Sequence, residues 1–370
     1  MKVLHFILGK ANKNRANGVN QVIAGLAKYC IRGGLEVRVI GKAQDVAHEG
    51  DFISRDGFQV EAYSRIGRPL IGALQEATAW ADVVHLHGMF SPLNLCVAEI
   101  CRQNGRPFVI TPHNGVAPDL IRAHGRVKKA LYHRLFQRRH LLGAAGVHAV
   151  TDEEGTDLLN CANGSNVFCV SNGVDLDDFP DIPRPSDTTN SSVIQLGYLG
   201  RLSPEKNLDA LCVAFAALNT DGRMRLKLAG PESPYGRNLV SRYGAKGVEW
   251  VGPKFGAAKA EFIRSVDLFV HPSLCDVFSI AAMEVLALRT PLLITRTARA
   301  SYFYNSNAFF MCEPTTFGIS RGIQEAIARK DEWETLTERG RVLIEARLNW
   351  AIAANSLILE YRKILGGDKL

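Results

Sequence analysis

Two hydrophobic patterns alternate along the chain. Short apolar runs bounded by glycine, proline and polar clusters predict buried strands, and longer segments with apolar residues every three or four positions predict helices. KVLHFIL (2–8), LEVRVIG (35–41), DVVHLH (82–87), RPFVITPHN (106–114) and AAGVHAVT (144–151) read as strands. Among them, VNQVIAGLAKYCIRGG (19–34), SPLNLCVAEICRQNG (91–105) and DEEGTDLLN (152–160) read as helices. A Gly pair closes the first of these, and Ser91 and Pro92 stand at the N-cap and first position of the second.

The theme repeats. SVIQLGYLG (192–200), MRLKLAG (224–230), KGVEWVG (246–252), DLFVHPS (267–273) and TPLLIT (290–295) read as strands, with NLDALCVAFAALN (207–219), AKAEFIRSV (258–266) and SIAAMEVLALR (279–289) as helices. Alternating strands and helices argue for parallel sheets and an α/β class. Between the halves, VDLDDFPDIPRPSDTTNSS (174–192) is rich in Pro, Asp, Ser and Thr and reads as a linker, with the boundary near 175–190. Two tandem Rossmann-like domains are expected to face a cleft, with ligands beyond the carboxyl ends of their strands.

Composition narrows the class. With 370 residues, 46% hydrophobic and 22% charged, the chain is ordinary globular protein, which excludes collagen-like, disordered and disulfide-scaffold classes. No apolar run approaches the ~18 residues of a membrane span, and MKVLHFILGK lacks the features of a signal peptide. Eight cysteines without a CxxC pair read as reduced core thiols in a cytoplasmic protein, and zinc is not expected.

The net charge of +7 is unevenly placed. From Leu120 to Thr151 there is no Asp or Glu, while Arg122, Arg126, Lys128, Lys129, Arg134, Arg138 and Arg139 alternate with apolar residues at helical spacing. This predicts a basic amphipathic helix. The 122–139 stretch offers a surface for an anionic membrane or lipid-linked substrate, or a solvated basic face. No nucleic-acid motif accompanies it, and no nucleic acid is expected. His85 and His87 in DVVHLH are read as structural side chains facing opposite sides of their strand.

Two segments carry anion chemistry. In GYLGRLSPEKNLDAL a helix is expected to open at Ser203–Pro204, with Arg201 before it and Lys206 in its first turn. Cations beside a positive helix end conflict with the dipole, and a bound diphosphate would resolve the conflict; pairing with Glu205 or Asp209 would also do so. In HPSLCDVFSIAAMEVLALR a strand ends at His271, Asp276 sits in a loop, and a helix opens at Ser279. The amides of Phe278, Ser279 and Ile280 would be free for phosphate. Glu284, within an otherwise apolar helix, must face the cleft or have a partner.

These residues resemble a known family, the retaining glycosyltransferases of the GT-B fold, family four (group 1). GRLSPEKNLDAL resembles its Gly-Arg-Leu-x-x-Glu-Lys-Gly segment, and PSLCDVFSIAAMEVLALRTP its Pro-Ser-x-x-Glu-x-Phe-Gly-x-x-x-x-Glu-Ala segment. VSNGVDLDDF, DVVHLHG, TPHN and the closing stretch from Trp350 to Tyr361 extend the likeness over nearly the whole chain. Four positions depart from the pattern: Asp276 for Glu, Ser279 for Gly, Asn207 for Gly, and Asn17–Gly18 for Gly-Gly.

The resemblance implies an acceptor-side domain over 1–175, a nucleotide-sugar domain over 190–348 and a final helix, 349–370, crossing back to the first domain. It implies that Arg201 and Lys206 bind the donor diphosphate, that Asp276 contacts the donor sugar and that Glu284 holds the ribose. His113 would lie beside donor sugar and acceptor, with Asn17 and Gly18 near the phosphates. Phe278, Ser279 and Ile280 would touch phosphate, and Val251, Gly252 and Pro253 the base. The implied reaction is retaining transfer of a hexose from a UDP- or GDP-linked sugar to an acceptor hydroxyl. A glycolipid or growing polysaccharide of the bacterial cell surface, as in lipopolysaccharide assembly, fits the basic stretch. No cofactor is expected beyond the sugar nucleotide, and no metal, because no DxD-type pair lies in a predicted cleft-facing loop. The expected location is cytoplasmic or peripheral on the inner face of the plasma membrane. The alternatives are a non-catalytic nucleotide-sugar-binding or partner-activating subunit with the same fold, a sugar-nucleotide epimerase, or a phosphorylase.

Overall fold

The computed structural model describes residues 1–366 apart from 10, 12–17, 45, 56, 114–131, 133–135, 184–192, 275, 277–278 and 297–305. The chain divides into two compact units.

The first unit opens with β1 (Lys2–Ile7), α1 (Gly18–Arg32), β2 (Glu36–Lys42), β3 (Asp51–Arg55), β4 (Phe58–Tyr63), α2 (Arg68–Trp80) and β5 (Val83–His87). It continues with α3 (Pro92–Gln103), β6 (Phe108–Thr111), α4 (Arg138–Leu142), β7 (Gly146–Ala149), α5 (Asp152–Cys161) and β8 (Val167–Cys169). Its eight strands run β3-β4-β2-β1-β5-β6-β7-β8, all parallel except the antiparallel β3–β4 pair. Covered on both faces, β1, β5, β6 and β7 are almost entirely buried, so they read as apolar runs rather than alternating ones. The β3–β4 hairpin, α2 and β8 are additions to the sequence reading; β3 is half exposed and carries little apolar signal.

The second unit contains β9 (Ile194–Leu199), α6 (Leu208–Leu218), β10 (Met224–Ala229), α7 (Pro234–Tyr243), β11 (Val248–Trp250), α8 (Gly256–Arg264) and β12 (Leu268–His271). It ends with α9 (Ile280–Ala287), β13 (Leu292–Thr295), β14 (Phe310–Cys312), α10 (Thr316–Ala328) and α11 (Trp333–Arg347). Its six strands form one parallel sheet in the order β11-β10-β9-β12-β13-β14. The start of the Pro- and Asp-rich stretch is not a free linker. Val174 and Phe179 are buried in this unit's core, Arg341 donates to Phe179 O at 2.8 Å, and Asp181 pairs with Arg289.

The last helix, α12 (Trp350–Ile364), belongs to the first unit. It packs on α1 so closely that a Cβ at Gly25 would overlap the Trp350 indole. Among the described residues no helix is long and apolar enough to cross a membrane. None of the described cysteines forms a disulfide; Cys30, Cys101 and Cys212 are core thiols, but Cys96 and Cys169 are exposed, which corrects the core reading for those two. Most of the basic 122–139 stretch lies outside the described residues; its end, α4, buries His140 and Leu141 and exposes Arg138 and Arg139.

Candidate active site

In the second unit the chain leaves β9 for β10 on one side and returns to β12 on the other, so the sheet order reverses between β9 and β12. Open α/β sheets bind ligands at the carboxyl ends of strands flanking such a point. The loops there are 200–207 and 272–279, the two segments that carry the anion signals.

Between β9 and α6 the expected single helix is two pieces. Pro204–Lys206 forms a 3-10 turn, and Asn207, at φ 57 and ψ 31, breaks it from α6. The left-handed backbone is open to Asn at modest cost, so Asn does here what a Gly would do. Its side chain donates to Pro314 O at 3.0 Å. Ser203 occupies the cap position without capping an amide. Lys206 therefore lies ahead of α6 rather than in its first turn, and projects across to the loop after β12.

There Lys206 Nζ meets Asp276 Oδ2 at 2.7 Å, and His271 Nε2 meets the same oxygen at 2.9 Å. Leu274 N donates to Glu205 O at 3.1 Å, which ties the two loops together. Burial works against ionisation of Asp276, but the His271 hydrogen bond and the Lys206 charge outweigh it and hold the carboxyl well below the usual range. Arg201 is exposed and pairs with Glu205 at 3.2 Å, an attachment weak enough to be exchanged. His271, at the end of β12, is absent from the sequence-derived site; a histidine closing an apolar strand before a Pro-Ser loop is its only signal.

Ser279 caps α9, its hydroxyl accepting from Ala282 N at 3.2 Å. The amides of Ser279 and Ile280 open the helix, where intrahelical acceptors are lacking. Phe278 lies outside the described residues. Glu284 is buried, and Lys259 on α8 answers it at 2.5 Å, its ammonium also 5.3 Å from the Phe179 ring centroid. Nothing in the local spacing pointed to Lys259. Substituting Lys259→Met is expected to destabilise the second unit by about 3 kcal/mol, because it strands a buried carboxylate. Lys259→Met with Glu284→Leu should recover most of that loss; urea unfolding of both variants checks it.

Val251, Gly252 and Pro253 follow β11 on the same edge of the sheet. Val251 N donates to Leu228 O and Gly230 N to Gly252 O, both at 3.1 Å, and the space beside the Gly252 Cα is open.

The first unit holds a second cluster, again where the strand order reverses, between β1 and β5. His5 pairs in register with His85, and His87 with Thr111. Strand residues two apart share a face. His85 and His87 accordingly lie on one side, their rings stacked at 4.3 Å between centroids, which corrects the expectation of opposite faces. His5, His85 and His87 carry nitrogens within 4.8 Å of one another, the one such trio able to hold a metal among the described residues. All its nitrogens but His5 Nε2 are engaged in hydrogen bonds: His85 contacts Tyr361 Oη and Thr111 Oγ1, both at 2.5 Å, His5 Nδ1 meets His87 Nε2 at 2.9 Å, and His87 Nδ1 meets His113. His113, half-buried two residues after β6 with φ 50, meets His87 through Nε2 at 3.0 Å. Gly18 is exposed at the first position of α1, and Asn17 lies outside the described residues.

Comparison with known proteins follows these two units. The family model Glycosyltransferase Family 4 matches residues 16–178, and Glycosyl transferases group 1 matches 194–328. The chain is 30% identical over 187 residues to the GDP-mannose:cellobiosyl-diphosphopolyprenol alpha-mannosyltransferase of Xanthomonas oryzae pv. oryzae, covering 50% of this chain and 46% of that one. It is 27% identical over 200 residues to a GDP-mannose-dependent alpha-(1-6)-phosphatidylinositol dimannoside mannosyltransferase of Mycobacterium tuberculosis, covering 52% and 51%. The chain thus spans about half the length of these curated relatives. Among solved structures, sucrose-phosphate synthase from Thermosynechococcus elongatus superposes with a TM-score of 0.81 at 17% identity over 100% of both chains. Anabaena HepE in complex with UDP-glucose gives 0.75 at 18% identity over 98% of this chain and 100% of that one. At these identities the likeness is one of fold.

Proposed function

Because the chain belongs to glycosyltransferase family 4 and has the GT-B fold, we propose that it transfers a hexose from a nucleotide diphosphate sugar to an acceptor hydroxyl with retention at the anomeric carbon. The observation that carries this reading is the Lys206–Asp276–His271 cluster at the point where the second sheet reverses its order.

As the bond from the anomeric carbon to the diphosphate breaks, negative charge grows on the leaving phosphate. Lys206, held in place by Asp276, neutralises it together with Arg201 and the amides opening α9. No divalent metal is needed for that step. Asp276 is already ionised and accepts hydrogen bonds from sugar hydroxyls. Glu284 holds the ribose, with Lys259 hydrogen-bonded to it from α8. The acceptor oxygen attacks the face the phosphate leaves, and its proton passes to the departing phosphate oxygen. His113 lies beside the sugar. The acceptor is a glycolipid or polysaccharide intermediate, in keeping with the lipid-linked saccharide named for the Xanthomonas relative. GDP-mannose is the first donor to try, since both mannosyltransferase relatives are named for it. The basic 122–139 stretch would meet the lipid surface.

A thermal-shift panel with UDP, GDP, ADP and their hexose conjugates, with and without EDTA, tests the reading. One nucleotide at 100-fold its Kd should add about 2.7 kcal/mol of stability, unchanged by EDTA. No shift with any nucleotide overturns the assigned roles of Lys206, Arg201 and Glu284 together.

A further inference from the structure

Two hydrogen-bonded chains of imidazoles cross the carboxyl edge of the first sheet, and their direction can be worked out. Burial keeps every ring in them neutral: His5 and His148 fall to about 4, His113 to about 3, and His85 and His87 lie well below their ordinary value. A neutral imidazole has one N–H and one bare nitrogen.

The chain through β7 is fixed at one end by a carbonyl. His148 Nε2 lies 2.8 Å from Val170 O, which can only accept, so the proton is on Nε2. His148 Nδ1 is then bare and takes the Thr111 hydroxyl proton at 2.8 Å. Thr111 Oγ1 accepts in turn from His85 Nε2, and His85 Nδ1 accepts from Tyr361 Oη.

The second chain, His5–His87–His113, has no such carbonyl. Each of its two links needs one proton, which leaves two arrangements. In one, His5 Nε2 carries a proton and His113 Nδ1 is bare. In the other, His5 Nε2 is bare and His113 carries its proton on Nδ1. His5 is fully buried and, among the described residues, its Nε2 has no hydrogen-bond partner. An orphaned buried N–H is rarer and costs more than an under-used acceptor. The second arrangement therefore prevails: His5 Nδ1–H donates to His87 Nε2, and His87 Nδ1–H donates to His113 Nε2.

We propose that His5 and His87 are positioning residues that lock His113 as an Nδ1–H donor, so that His113 gives a hydrogen bond to a sugar or acceptor oxygen and does not act as a general base. The inference deepens the transferase reading and rests on it for the identity of the oxygen. It leaves the departing phosphate as the sink for the acceptor proton. The left-handed backbone of His113 turns its ring into line with His87, the two stacking at 19° with centroids 5.3 Å apart.

The test begins with long-range proton–nitrogen correlation spectra of the full-length protein labelled on its histidine rings. His5, His87 and His113 should show the Nδ1–H form, and His85 and His148 the Nε2–H form. An Nε2–H form at His113 overturns the proposal, whatever the enzyme's substrate proves to be. In turnover assays with the identified donor, His87→Leu should lower kcat about tenfold, with His113 shifting toward Nε2–H. His87→Asn, whose amide can donate to His113 Nε2, should recover most of the rate. Equal loss in both, with His113 unshifted, also overturns it. Failure of the nucleotide panel would instead leave the spectra intact and remove only the sugar as the partner.

Discussion

Between pH 7 and pH 5 the first unit is expected to lose most of its stability while the second keeps its own. Of the eight described histidines, seven lie in the first unit and His271 in the second. Burial lowers His5, His140 and His148 to about 4, and desolvation also drives His85, His87 and His113 down. Unfolded, these rings titrate near 6.5. The unfolded state therefore binds more protons from about pH 6.5 down to about pH 4, and stability falls with pH across that window. Rings shifted this far each cost about 2 kcal/mol at pH 5, so three of them approach the stability of a whole domain. Asp276 is also held down, so its contribution likewise falls with pH, but it is lost only below the ordinary carboxylate range. Trp80 and Trp350 report on the first unit, Trp250 and Trp333 on the second. Thermal melts of variants keeping one pair each, at pH 7 and pH 5, would separate them. A first-unit melting temperature unchanged at pH 5 would refute the argument.

Lys206→Met is expected to lower kcat by about 10²–10³-fold, the cost of removing one preorganised charge from a developing oxyanion. The substitution also takes away the cation that helps hold Asp276 ionised, so the Asp276 carboxyl should move up toward its ordinary value. Arg201→Met should cost less, because Arg201 is largely exposed and its ion pair is with the half-exposed Glu205. Steady-state kinetics with the donor identified by thermal shift would check the order. Equal effects at the two positions would mean that the Lys206–Asp276 geometry carries no special weight.

Most strands of both sheets were legible because parallel strands covered on two faces appear as apolar runs; the three-residue strands β8 and β14, each only partly buried, were not. The hairpin β3–β4 was not, since Phe52 and Ser54 point outward on a half-exposed edge. Loops 200–207 and 272–279 could be picked out from cations near a helix start and a carboxylate in an apolar helix. Their partners could not, because contact is made across the fold: 70 residues separate Lys206 from Asp276, 25 separate Lys259 from Glu284, and 276 separate His85 from Tyr361. No periodicity encodes such pairs. The opposite-face reading of His85 and His87 failed for another reason: their spacing of two places them on one face of a strand.

The helix that packs Trp350 against Gly25 has a consequence for how the chain acquires its structure. It makes the first unit discontinuous, with the second unit inserted before its final piece. On the ribosome the inserted unit has its whole sequence available before the host unit does. Residues 1–172 must wait, with the buried face of α1 uncovered and His85 lacking its Tyr361 partner, until some 180 further residues have been made. A nascent chain stalled before Trp350 should therefore present a protease-resistant inserted unit on a protease-sensitive host.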